Sequence, residues 1–241
     1  MGKRWRWVIA IAVVVGIIGV AGFFGGRHLI QQSRLAESCT KVQESLETQR
    51  DERVSIEAEP AQLVVIGDSY AQAIDTPVVE SFPYVVAAGL DMNASVDAYG
   101  GSGYVNPGPC GDGNSFVDRV ERNGIPPTAE LVIVQGGVND ADLYGDRLRT
   151  AASDVLMSVA DAAPAARVVV LGPASVPGST AENVARADAI LRDAAEAAGS
   201  EYVSTLDWEF DLAADQIHPS RRGQADYARL LLDAVGNGSL K

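Results

Sequence analysis

Hydrophobicity changes character twice along this chain. Trp7 to Phe24 is an unbroken stretch of eighteen apolar or glycine residues, which at about 1.5 Å of helical rise per residue spans about 27 Å, the depth of a bilayer core. Residues 28–60 are different: large apolar side chains are sparse and charges dense, most of all over 43–53. Such a segment cannot bury enough surface to form a core and reads as a partly helical stalk. Leu35, Val42 and Leu46 supply too few heptads for a coiled coil. From residue 62 onward, short runs rich in β-branched residues predict strands at Gln62–Ile66, Ser95–Ala98, Leu131–Gln135, Arg167–Leu171 and Tyr202–Thr205. Helical patterns separate them at Pro77–Asp91, Asn114–Asn123, Asp146–Ala163, Ala181–Ala198 and Arg221–Val235. Strands that are apolar on nearly every residue are covered on both faces, which implies a parallel sheet between helix layers. No internal repeat is present. The chain divides into an apolar N-terminal segment (1–27), a charged stalk (28–60) and an α/β domain (61–241).

In an open α/β sheet, ligands bind beyond the carboxyl ends of the strands. Ser69, in Ile66-Gly67-Asp68-Ser69-Tyr70, follows the first strand, Gly100–Tyr104 the second and Asn139 the third, and Asp215 and His218 follow the last. All of them fall on one rim. A serine hydroxyl becomes a nucleophile when an imidazole removes its proton, and the imidazole works best when a carboxylate fixes its tautomer. Of the two histidines, His28 abuts the apolar segment, so imidazole chemistry falls to His218. Each element also has a plainer reading. Asp68 caps a helix, the glycine-rich runs are turns, and Asp215 and Pro219 mark the start of the final helix. The readings are compatible, since a helix starting at Pro219 leaves His218 just before it, held toward the rim.

Charge separates the parts further. Residues 1–60 carry 8 Lys/Arg and 7 Asp/Glu, against 11 and 25 in residues 61–241, so the domain holds about −14 of the chain's net −13. That excess repels phosphate backbones and anionic head groups, which argues against a nucleic-acid partner. Lys3, Arg4 and Arg6 precede the apolar stretch and should stay cytoplasmic, which delivers the domain outside on a single-pass anchor, with membrane contact through that helix only. Cleavage after a signal peptide, near Val20-Ala21-Gly22, is the alternative, although the stretch exceeds the length of a signal core. Cys39 and Cys110 form a bridge in an oxidising compartment or remain free thiols. The oligomeric state is left open.

The quoted motifs resemble the sequence blocks of the SGNH hydrolase superfamily, the GDSL-type esterases and lipases. The resemblance runs from residue 62 to about 235: Gly67-Asp68-Ser69-Tyr70, Gly100-Gly-Ser-Gly-Tyr104, Gly137-Val-Asn139-Asp140 and Asp215-Gln-Ile-His218-Pro219. It implies a flavodoxin-like three-layer α/β/α sandwich with five parallel strands and neither metal nor organic cofactor. It also implies Ser69 as nucleophile, His218 as base and Asp215 as its partner. The oxyanion donors would be the N–H groups of Ser69 and Gly103, with Gly101 as the alternative glycine, and the Asn139 amide. Tyr70, Tyr104 and Asp140 are expected to face substrate; Tyr144 and Trp208 also lie near the motif loops. A hydrophilic stalk and the lack of a long apolar lid insertion favour short acyl esters of carbohydrates. A lipid acylhydrolase, a glycan O-acetyltransferase and a catalytically idle glycan- or protein-binding module are the alternatives.

Overall fold

The computed structural model describes residues 30–57, 60–74, 76–143 and 145–236, together with the backbone of the first helix from residue 3. The elements are α1 (Lys3–Ile56), β1 (Leu63–Gly67), α2 (Ser69–Gln72), α3 (Phe82–Leu90), β2 (Ala94–Ala98), α4 (Phe116–Asn123), β3 (Leu131–Gln135), α5 (Asp146–Ala162), β4 (Arg167–Leu171), α6 (Ala181–Ala197), β5 (Glu201–Val203) and α7 (Arg221–Gly236). The five strands form one parallel sheet in the order β2-β1-β3-β4-β5. This is the expected flavodoxin-like sandwich, whose strand order reverses between β1 and β3.

Strand periodicity assigns the two layers. Val64 and Ile66 of β1 and Val132 and Val134 of β3 face one way, into a core completed by α4, α5 and α6. Leu63, Val65, Leu131 and Ile133 face the other way, against α3 and α7. Each residue of these two strands is thus buried whichever way it points, and each such aliphatic side chain is worth about 1.5–3 kcal/mol. The segment expected to be one helix over Pro77–Asp91 is broken. A single 3₁₀ turn, Val78–Glu80, precedes α3, because Ser81 is extended (φ −71°, ψ 150°) and Pro83 follows it in the first helical turn.

The charged segment read as a stalk does more than space. It is helical through Ile56, and its last turns lie on the domain. Val42 and Gln49 are buried, and Gln49 donates to the carbonyls of Gln72 (3.0 Å) and Ala73 (3.2 Å). Arg53 donates to Val96 O (3.1 Å), while Val96 N–H donates to Glu57 (3.2 Å). The open edge of β2 is therefore capped by side chains rather than left as a template for another strand. Cys39 and Cys110 are joined in a disulfide, their Cα atoms 4.8 Å apart, which fastens α1 to the loop after β2. The apolar stretch Trp7–Phe24 lies outside the residues whose side chains are described; among the described residues no helix is long and apolar enough to cross a membrane.

Arg119 of α4 is 1% exposed, and its guanidinium binds the carboxyl ends of two strands. It donates to Gly67 O (2.8 Å), Asp97 O (2.7 Å), Asn114 O (3.2 Å) and Ser102 Oγ (3.3 Å), and pairs with the Asp97 carboxylate. Replacing Arg119 with Met removes every one of these donors and should cost about 3–5 kcal/mol of stability. Urea denaturation checks this, and a loss below about 1 kcal/mol would mean the cluster is merely tolerated.

Candidate active site

Gly67 ends β1, and the chain turns directly into α2. Asp68 caps that helix, accepting the Tyr70 N–H at 2.9 Å, so the plain capping reading holds. Ser69 is the first helical residue, and its backbone N–H, one of the orphan donors of a helix start, has no partner among the described residues. A cleft of about 1280 Å³ opens here, at the carboxyl end of the sheet. Asp68, Ser69, Gly101, Asn139, Asp215 and His218 all line it. Chain regions as far apart as residues 69 and 218 thus meet on one surface, at the point where the strand order reverses.

His218 sits on the loop before α7. Its Nδ1 lies 2.6 Å from Asp215 Oδ2, while Asp215 Oδ1 accepts the N–H groups of Ile217 (2.9 Å) and His218 (3.0 Å). Gln216 takes φ 59° to make this tight turn. Burial works against the Asp215 charge, yet the His218 ring and the two backbone donors outweigh it and hold the carboxyl at about 2. Tyr70 braces the loop from beneath: its hydroxyl donates to Ile217 O at 2.6 Å, and its ring meets the His218 ring edge-on at 6.2 Å. With Nδ1 engaged by a carboxylate, Nε2 is the nitrogen left to accept a proton.

The loop after β2 corrects one expectation and sets two glycines apart. Gly103 N–H donates to Asn106 O at 2.8 Å and is not available to a ligand. A Cβ at Gly103 would stand 2.2 Å from Asp140 Oδ2, so this glycine exists to let the carboxylate approach the loop. Gly101, at φ 76°, occupies the left-handed region that favours glycine. Its N–H has no partner among the described residues, and it lines the cleft. Asn139 Nδ2 donates to Ser102 O at 2.8 Å, which orients the amide and leaves its second N–H free.

Of the three residues expected to face substrate, Asp140 and Tyr104 serve the scaffold and Tyr70 lines the cleft. Asp140 is fully buried and accepts the N–H groups of Tyr104 (2.8 Å), Val105 (3.1 Å) and Asn106 (2.9 Å). Burial pushes its carboxyl up, against the pull of those three donors. Tyr104 is 1% exposed and packs on Phe116, away from the cleft. Tyr70 reaches the cleft, but its hydroxyl is committed to Ile217. Trp208 packs on Tyr227, and Tyr144 lies outside the described residues.

Two features come only from the fold. Asp68 is a buried carboxyl at the cleft floor, pushed up to about 6 by desolvation against the pull of the Tyr70 N–H, Gln135 and His218. Gln72 is buried, accepts Gly100 N–H at 2.6 Å and donates to Val42 O at 3.4 Å, so it ties α1 to the glycine loop. Nothing in the local sequence marks either role. Among the described residues no group of three His, Cys, Asp or Glu side chains is placed to hold a metal ion.

A model of the GDSL-like lipase/acylhydrolase family matches residues 65–225. Among solved structures, the chain is similar to a Lactobacillus plantarum protein (TM-score 0.60, 18% identity, covering 75% of this chain and 98% of that one). It is also similar to Est24, a carbohydrate acetylesterase from Sinorhizobium meliloti (0.58, 17%, 73% and 99%). A third is a family two carbohydrate esterase from Clostridium thermocellum in complex with cellohexaose (0.61, 16%, 75% and 66%). No curated protein matches the chain. The matched segment carries the strand order, the serine turn and the histidine loop together, and the chain belongs to the GDSL-like lipase/acylhydrolase family as a serine ester hydrolase.

Proposed function

We propose that this hydrolase removes short acyl groups, acetyl above all, from carbohydrates, with Ser69 as nucleophile, His218 as general base and Asp215 as the carboxylate that orients it. The observation that carries the assignment is the 2.6 Å contact between His218 Nδ1 and Asp215, on a loop that shares its cleft with Ser69. His218 Nε2 takes the Ser69 proton as Oγ attacks the ester carbonyl, and Asp215 stabilises the resulting imidazolium. The negative charge that builds on the carbonyl oxygen meets the N–H groups of Ser69 and Gly101 and the free N–H of Asn139. The alcohol departs with the proton from His218. Water then attacks the acyl-serine, with His218 again acting as base, and frees the acid.

Two structural relatives are esterases of carbohydrate substrates by name, which favours a sugar ester, and the cleft offers hydroxyl, amide and charged side chains beside apolar ones such as Leu35, Ile74 and Val138. The cystine bridge suits an oxidising compartment. Together with Lys3, Arg4 and Arg6 before Trp7–Phe24, it supports a single-pass anchor with the domain outside.

Ser69→Ala should abolish labelling by a fluorophosphonate while circular dichroism stays unchanged; labelling that persists in the variant rejects Ser69 as nucleophile. Asn139→Ala should lower kcat by about 10²–10³ with little change in KM, since its contact belongs to the transition state. A rise in KM alone would reassign Asn139 to substrate binding. Asp215, held at about 2 against an ordinary 3.8, contributes stability that is complete above 3.8 and is lost as pH falls through about 2. The stability gap between wild type and Asp215→Asn should therefore close as pH falls from about 4 through about 2. Denaturant titrations over that acid range check it, and a gap that stays open there contradicts the pairing.

A further inference from the structure

The cleft above Ser69 has one wall that the hydrolase domain does not supply. Leu35, Ser38, Lys41, Ser45, Thr48 and Glu52 of α1 line it, at intervals of three or four residues that place them on one helix face. From Ser38 to Glu52 this face runs about 21 Å, many times the length of an acetyl group. The family match begins at residue 65, so the wall is built by a segment outside it.

We propose that this α1 face is a binding wall for an oligosaccharide chain, which lies along the helix and presents one of its acyl esters to Ser69; the proposal rests on the ester hydrolase reading above. The side chains of Ser38, Glu44 and Ser45 make no hydrogen bond among the described residues, although all three line the cleft. They offer donors and acceptors suited to sugar hydroxyls, whereas a long acyl chain would meet polar groups along this side. Exposed Leu35 and Ile217 add apolar contacts at the rim, suited to the C–H face of a sugar ring.

The wall is fixed along its length. The Cys39–Cys110 bridge holds it beside Ser38 and Lys41, the Gln72 side chain holds it at Val42, Gln49 holds it at the carbonyls of Gln72 and Ala73, and the Val79 N–H holds it at Glu52. Because Gln72 also receives the Gly100 N–H, the wall and the glycine loop share a support. Cys39→Ser removes the first fixing point without touching a side chain in the cleft, since neither cysteine lines it.

The test uses the full chain and two substrates: p-nitrophenyl acetate, and partly acetylated β-1,4-linked oligosaccharides of one to six sugars. Wild type should show kcat/KM rising with the number of sugars. In Ser38→Ala/Glu44→Ala/Ser45→Ala that rise should shrink about tenfold or more, through KM rather than kcat, as expected for losing two or three hydrogen bonds of uniform binding. Cys39→Ser should reduce the rise as well, and the triple variant should keep wild-type rates on p-nitrophenyl acetate. Activity on p-nitrophenyl acetate with no dependence on sugar number, or an undiminished dependence in both variants, overturns the wall and leaves the esterase standing. Absence of activity on every ester overturns the esterase reading itself.

Discussion

A buried guanidinium holds the site together. Arg119 reaches the last carbonyl of β1, one residue before Asp68 and two before Ser69, and at the same time the end of β2 and the hydroxyl of Ser102 in the glycine loop. A carbonyl has two lone pairs, and Gly67 O, which already accepts the Tyr99 N–H at 3.2 Å, gives its second to Arg119. Arg119 thereby fixes the distance between the serine turn and the glycine loop. Its five donors lie in a rigid plane that a lysine could not imitate, and its charge is met by Asp97 and by the Phe116 ring, 5.1 Å from the guanidinium carbon. Desolvating this cation is costly, so its net contribution lies in the one arrangement it permits more than in raw stability.

The sheet, the order of the helices and the identity of Ser69, Asn139, Asp215 and His218 as rim residues were legible because each depends on local signals: apolar runs, caps and the loops that follow strand ends. The observed strands and helices α4 to α7 differ from the expected ones by a residue or two at their ends, whereas α3 starts five residues later than expected. What escaped depends on tertiary partners. Gly101 and Gly103 stand in one short motif and look equivalent, yet one is needed for a left-handed φ and the other for the approach of a carboxylate 37 positions on. Asp140 resembles a substrate contact in sequence, and only its three backbone donors reveal it as the clamp of that loop. The charged segment before the domain was misjudged for a similar reason. Val42 and Gln49, one heptad apart, are too few to imply a coiled coil and enough to dock a helix on a preformed surface.

Docking of α1 changes the nature of the cleft. Without it, Ser69 would lie on an open rim, as expected of a small acylhydrolase acting on whatever ester reached it. With it, the serine lies at the floor of a trough with two walls. A disulfide between residues 39 and 110 closes a long loop, and such a link typically adds about 2–4 kcal/mol by restricting the unfolded chain. The same link sets where the wall stands relative to the glycine loop. Stability and cleft shape are thus coupled through one covalent bond.

Electrostatics narrows the substrate further. Asp68 and Asp215 border the reacting position, Glu44 and Glu52 face it from α1, and the domain as a whole is strongly negative. The lining cations are partly engaged already: Lys41 with Glu37 at 2.9 Å, and Arg221 with Glu80. A substrate carrying phosphate or carboxylate would be repelled on approach and would find little uncommitted positive charge on arrival. A neutral, hydroxyl-rich ester meets no such opposition. After hydrolysis the liberated acid is an anion at neutral pH, and the field that is indifferent to the substrate then favours departure of the product.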